Sequence, residues 1–364
     1  MSGVYIHIPF CHSKCAYCDF YSTPNRKKQE LLIDCLIREM RMRREEIDNI
    51  DTIYIGGGTP SILRDEELGE ILSCIDMSHA REVTIEVNPE DVNRDRVRGW
   101  KSMGVNRISM GIQSFVDAEL QLIGRRHSSE DALIAIEDIR AGGISNFSID
   151  LIYGIPGQTM DSWKYSLDIL KKISPEHFSA YMLTYEPHTR LTAMLKTGKI
   201  VEVEENTVID MYMMLIECAR TLGYEHYEIS NFAKPGARSK HNSSYWNGTP
   251  YIGLGPGAHG YDGTLRKVNP ADINIYIAEI SQNRLPYIIE EESKTDTFND
   301  MIITALRTER GLDFRKVERR RRRQLLCDAF PYLKRREIMA ADNHLFIPEE
   351  HWLIADAIMR DLLQ

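Results

Sequence analysis

Short β-branched and aromatic runs alternate with amphipathic stretches along the first 222 residues. Val4-Tyr5-Ile6-His7-Ile8 reads as a buried strand, and Pro9 ends it. Helical periodicity with a charged outer face follows over 27–48, then the apolar run Thr52-Ile53-Tyr54-Ile55. The same alternation predicts helices over 64–76, 91–102, 129–141, 161–172 and 204–222. The strands between them are Val83–Val87, Asn106–Met110, Phe147–Ile152 and Phe178–Leu183. Six strand–helix units imply α/β architecture with a parallel sheet and helices outside. Eight would close a TIM barrel, so six predict an open, partial (β/α)6 barrel.

From about 291 the pattern changes. Helices are expected over 297–307 and 315–326, a two-stranded wing over 337–347 with its turn at Asn343, and a closing helix over 349–363. The chain then divides into a core of 1–235, a connecting segment of 236–290 and a small C-terminal domain of 291–364.

Composition narrows the class. A net charge of −9 argues against a general nucleic-acid binder. Arg319 to Arg323 wrap around a helix instead of forming one face, which suits a solvated helix or one meeting an acidic partner or anionic lipid. No apolar stretch approaches the roughly 20 residues of a membrane span, and no signal peptide precedes the first strand. Of seven cysteines, Cys35, Cys74, Cys218 and Cys327 are scattered and read as small buried hydrophobes. The expected setting is cytoplasmic and reducing.

The chemistry gathers at strand ends, where this fold class opens its mouth. The first strand runs into Cys11, Cys15 and Cys18, spaced C-x3-C-x2-C. A disulfide with one spare thiol, a zinc site, or an iron–sulfur cluster with one iron open are the available readings. The second strand runs into Gly56-Gly57-Gly58-Thr59-Pro60, a tight turn or a backbone cradle but not a phosphate loop. Glu86 ends the third strand, Gln113 follows the fourth, and Asp150 lies in the fifth.

The cysteine spacing, with Tyr17 before the third cysteine, resembles the radical S-adenosylmethionine (SAM) superfamily. That resemblance implies a [4Fe–4S] cluster on Cys11, Cys15 and Cys18, whose fourth iron takes SAM. Gly57, Gly58 and Thr59 match its SAM-contacting glycine motif. Tyr5, Tyr17, Glu86, Gln113, Arg125 and Asp150 match cofactor-contacting positions in the oxygen-independent coproporphyrinogen oxidase-like branch. In the second half, Tyr227–Ala233, Lys240–Trp246 and Gly253–Gly260 resemble the heme chaperone HemW family. Its H-N-x-x-Y-W motif implies heme binding with His241 as iron ligand, Tyr245 and Trp246 covering the porphyrin. The oxidase carries a further cysteine where this chain has Phe20, which favours the chaperone.

The resemblance further implies a small winged-helix-like C-terminal domain and heme-acceptor proteins of the respiratory membrane. It leaves a homodimer and a peripheral place at the membrane open. The competing reading is a radical enzyme acting on a tetrapyrrole, either a coproporphyrinogen III dehydrogenase or a methyltransferase-like relative. Such an enzyme would need an electron donor such as a flavodoxin or ferredoxin.

Overall fold

The computed structural model describes residues 2–364. Its central strands are β1 (Ser2–Ile8), β2 (Ile50–Gly57), β3 (Glu82–Val87), β4 (Arg107–Gln113), β5 (Phe147–Tyr153) and β6 (His177–Met182). They pair in parallel in the order 1-2-3-4-5-6. The helices between and after them are α1 (Gln29–Met42), α2 (Asp65–Ser73), α3 (Arg94–Ser102), α4 (Asp117–Ile123), α5 (Ser129–Gly142), α6 (Met160–Ile173), α7 (Arg190–Lys196) and α8 (Glu205–Thr221). This is the expected partial barrel. The short helices α4 and α7 were not anticipated.

The strands alternate between two environments. Ile53, Ile55, Val83, Ile85, Ile108, Met110, Ile149, Leu151 and Phe178 are buried in the main apolar core. The intervening positions, Tyr54, Glu86, Arg107, Ser109, Ser148, Asp150, His177 and Ser179, line an internal cavity. A period of two thus gives every strand an apolar face and a polar face. The lumen is a polar chamber, unlike the packed apolar interior of a closed eight-stranded barrel.

Both sheet edges are extended. Beyond β6 lie the short antiparallel strands β7 (Glu225–Glu228) and β8 (Asn231–Ala233). Beyond β1 lie β9 (Tyr251–Leu254), β10 (His259–Tyr261), β11 (Arg266–Val268) and β12 (Ile288–Glu290). Residues 236–290, expected as a connecting segment, therefore contribute edge strands to the main sheet. They also form helices α9 (Lys240–Asn247) and α10 (Ile273–Ser281).

The C-terminal part contains α11 (Lys294–Leu306), α12 (Arg319–Arg335) and α13 (Ala355–Leu362) around a small antiparallel sheet. Its strands are β13 (Leu312–Asp313), β14 (Met339–Ala341) and β15 (His344–Phe346). The wing turns at Asp342-Asn343, both at positive φ (50° and 64°), a conformation Asn and Asp tolerate. In the arginine run, Arg321 lies over the Phe298 ring and donates to Thr295, and Arg322 donates to the Val317 carbonyl. Arg319, Arg320 and Arg323 are exposed. Of the four scattered cysteines expected to be buried, only Cys35 is; Cys74 and Cys218 are half-buried, and Cys327 is exposed because it faces outward on α12. No helix among the described residues is long and apolar enough to cross a membrane.

Candidate functional site

The cysteine loop leaves β1 at Pro9 and is zipped to the glycine turn that leaves β2. Gly58 N–H donates to the Ile8 carbonyl (2.8 Å), and Thr59 N–H donates to the Phe10 carbonyl (2.7 Å). Gly58 is required here: a Cβ would lie 2.5 Å from the Phe10 carbonyl oxygen, a backbone atom that cannot step aside. At Gly57, φ is +119°, which side chains rarely adopt. These two turns bring Cys11, Cys15, Cys18, Tyr17, Gly57, Gly58 and Thr59 to the wall of one cavity of about 540 Å³.

The neighbouring strand ends complete that wall. The Tyr54 hydroxyl donates to Glu86 Oε1 (2.8 Å), and Gly57 N–H donates to Glu86 Oε2 (3.1 Å), so Glu86 also holds the glycine turn. Arg125 reaches across from the loop after α4. It donates to Asn88 Oδ1 (2.6 Å) and the Gly111 carbonyl (2.5 Å), and its Nη1 is 3.5 Å from Cys15 Sγ. Asn88 in turn donates to Thr59 Oγ1 (3.2 Å). Gln113 sits where β4 slips register against β5, with φ at +74°. A non-glycine residue in that region is strained, and such strain concentrates at functional sites.

The electrostatics suit a cationic ligand beside thiolates. Burial pushes the Glu86 carboxyl up to about 7, with Asp150 adding to it, and pushes Asp150 up to about 6. Burial makes the charged form of both acids costlier, a cost that a bound cation would offset. Burial also raises the Cys11 and Cys18 thiols, so binding a metal as thiolates would release protons. The three cysteines are free and line the cavity. Among the described residues no group of three or more His, Cys, Asp or Glu side chains is disposed to hold a single metal ion. The donor set, three soft thiols with a half-buried guanidinium beside one, fits an iron–sulfur cluster.

Tyr5 and His241 do not line this cavity. The Tyr5 ring stacks behind Tyr54 (6.2 Å), and its hydroxyl lies 2.9 Å from His7 Nδ1. His241 is fully buried on α9. Its Nδ1 is 2.9 Å from Thr52 Oγ1, its Nε2 is 2.9 Å from the Tyr245 hydroxyl, and burial lowers its pKa to about 3. Both ring nitrogens are thus engaged, and iron ligation would require one of them to leave its partner. The Glu82 carboxylate accepts from the Lys240 and His241 N–H groups (both 2.9 Å), capping α9 against β3. Within the motif, Trp246 reaches the C-terminal part, where Arg307 lies 5.9 Å over its ring.

Sequence reasoning placed Asn88 at the end of the third strand without giving it a role and passed over Tyr54; both hold the predicted residues in place. Asn88 follows Glu86 by two positions, and Tyr54 precedes the glycines by two. The strand-end rule that found Glu86 and the glycines would have found Tyr54 too. It also missed Arg107, which lines the cavity and donates to Asn146 (2.7 Å), and His177, held between Ser148 (2.6 Å) and Tyr227 (2.8 Å).

Comparison with known proteins agrees with this geometry. Residues 5–170 match the Radical SAM superfamily model, a span containing the cysteine loop, the glycine turn and Glu86 to Asp150. The heme chaperone HemW of Bacillus subtilis is 37% identical over 305 residues, covering 81% of this chain and 80% of that one. The HemW of Lactococcus lactis subsp. lactis is 35% identical over 324 residues, covering 87% and 84%. Among solved structures, coproporphyrinogen III oxidase (HemN) from Escherichia coli, a radical SAM enzyme, superposes with a TM-score of 0.85. It covers 100% of this chain and 90% of its own at 21% identity, a likeness of fold alone. With two relatives above 30% identity aligned over most of both chains, this protein belongs to the HemW family of the radical SAM superfamily.

Proposed function

We propose that the chain is a heme carrier. It holds a [4Fe–4S] cluster through Cys11, Cys15 and Cys18, binds SAM beside it, and delivers heme to acceptor proteins such as respiratory enzymes. The observation that carries this reading is the single cavity shared by three free thiols, two desolvated carboxylates and the Gly57–Thr59 turn. The names of the Bacillus and Lactococcus relatives support heme as cargo. Phe20, 67% exposed at the cavity rim, takes the place of the cysteine expected of the oxidase.

Each group in the cavity has a task in this reading. A bound cluster supplies a one-electron centre with one iron free of protein ligands. Glu86 and Asp150 meet the cationic and hydroxyl groups of SAM, and Gly57–Thr59 offer backbone polar atoms to its amino-acid end. Arg125 offsets thiolate charge at Cys15 and fixes Asn88. His241 serves as a pillar joining β2 to α9.

Heme transfer tests the proposal. The anaerobically reconstituted, heme-loaded chain is mixed with a heme-free respiratory enzyme, and the acceptor's heme absorbance is followed. The reading expects heme to leave the chain and restore acceptor activity, with no altered tetrapyrrole formed. Consumption of SAM, fed by a reduced flavodoxin or ferredoxin, with a modified tetrapyrrole as product would favour the radical-enzyme reading instead.

A further inference from the structure

The cavity has two unlike ends. One, beneath β1 to β4, is taken up by the thiols, the glycine turn, Glu86, Gln113 and Arg125. The other lies at the β6 edge, where the C-terminal part closes over it, and the cluster and SAM reading leaves it unused. Tyr181, Met182, Tyr212, Arg307 and Trp352 line it.

Three features of that end point to one kind of ligand. Aromatic and thioether side chains stand in its wall. Tyr181 and Met182 are 41% and 45% exposed, while Trp352 is held rigidly by its Nε1–H donating to the Ile347 carbonyl (2.8 Å) and by the His226 ring at 4.3 Å. Tyr212 is 2% exposed, yet its hydroxyl has no hydrogen-bond partner in the chain. Arg307 is the cation at this end, with its guanidinium 3.2 Å from Asp356, a carboxylate whose side chain is 76% exposed. An ion pair that open to water is held weakly, so a ligand carboxylate can replace Asp356 at little cost.

Aromatic side chains in the wall, an unpaired hydroxyl and an exchangeable arginine suit a planar aromatic ligand with carboxylates on its edge. We propose that this end of the cavity is the porphyrin seat. Arg307 grips a propionate in exchange for Asp356, and Trp352, Tyr181 and Met182 flank the macrocycle. The proposal rests on the heme-carrier reading and locates its cargo away from His241.

The test compares iron protoporphyrin IX with its dimethyl ester, which keeps the ring and removes the carboxylate charges. Each is titrated into the reconstituted chain by absorbance, with SAM binding measured by calorimetry as a control. Wild type is expected to prefer the free acid by about tenfold or more. Arg307→Ala should abolish that preference, and Asp356→Asn should tighten the free acid several-fold while leaving the ester and SAM unchanged. The two variants move in opposite directions, which a purely structural role would not produce. An Arg307→Ala chain that keeps the preference, or an Asp356→Asn chain that binds the acid more weakly, overturns the seat and leaves the carrier reading standing. A wild type that binds neither porphyrin overturns both.

Discussion

Replacing Glu86 by Gln separates the cost of a buried acid from its use in binding. In the ligand-free chain burial raises this carboxyl from 4.5 to about 7, even though Tyr54 and Gly57 donate to it. The folded value lies above the unfolded one. Its contribution to stability is therefore full below pH 4.5 and is lost as the pH rises through about 7. A rise of that size corresponds to about 3 kcal/mol, and roughly 2 kcal/mol once cavity water at this partly open group is allowed for. Glutamine does not titrate. It keeps an acceptor for Tyr54 but sets an amide N–H against Gly57 N–H, an offset that does not change with pH. The stability of Glu86→Gln relative to wild type should thus climb by about 2–3 kcal/mol between roughly pH 5 and 8, whatever its starting value. Urea unfolding of the cluster-free, SAM-free chains across that range measures the difference. Parallel curves would show that Glu86 ionises normally when folded, and the desolvated-acid account of the site would be wrong. SAM affinity should move the other way, falling about tenfold or more in the variant.

Further outcomes follow from the same geometry. SAM should bind more tightly as pH rises through about 6 and about 7, because Asp150 and Glu86 must ionise to meet a cation. Calorimetry in buffers of different ionisation heat should register proton release, and proton uptake would contradict this. Gly58→Ala pushes a Cβ onto the Phe10 backbone and should cost about 1–3 kcal/mol, with weaker SAM binding as the two turns separate; thermal and binding measurements unchanged from wild type would refute the tight approach. His241→Ala removes the contacts to Thr52 and Tyr245 from a fully buried site and should cost about 2–4 kcal/mol by denaturant unfolding. Its folded form should still take up heme stoichiometrically, and a folded variant without the heme band would return His241 to the iron.

Much of this was legible in the sequence, for physical reasons that differ by region. The six core strands announce themselves because each packs an apolar face beneath helices, and runs such as Ile53-Tyr54-Ile55 leave few alternatives. The site residues were legible because strand ends of a barrel share one mouth. The flanking strands were not: Asn231–Ala233 and Ile288–Glu290 have three residues each and take their conformation from the edge they join. Helix α9 reads Lys-His-Asn-Ser-Ser-Tyr-Trp-Asn, weak in helix propensity, and its start is held by the Ser239 cap together with Glu82, which is remote in sequence. For the same reason the burial of His241 could not be foreseen, since the partners on β2 and α9 that engage its two nitrogens meet only in the folded chain. The stacking of Tyr54 against Tyr5, which does not itself line the cavity, is likewise a contact between strands that no local pattern reveals.

Iron analysis with electron paramagnetic resonance tests the central claim most directly. Anaerobically reconstituted wild type should hold about four irons per chain, and its reduced-cluster signal should change when SAM is added. Cys18→Ser should lose both the iron and the response. Zinc in place of iron, or a cluster signal indifferent to SAM, would contradict the account.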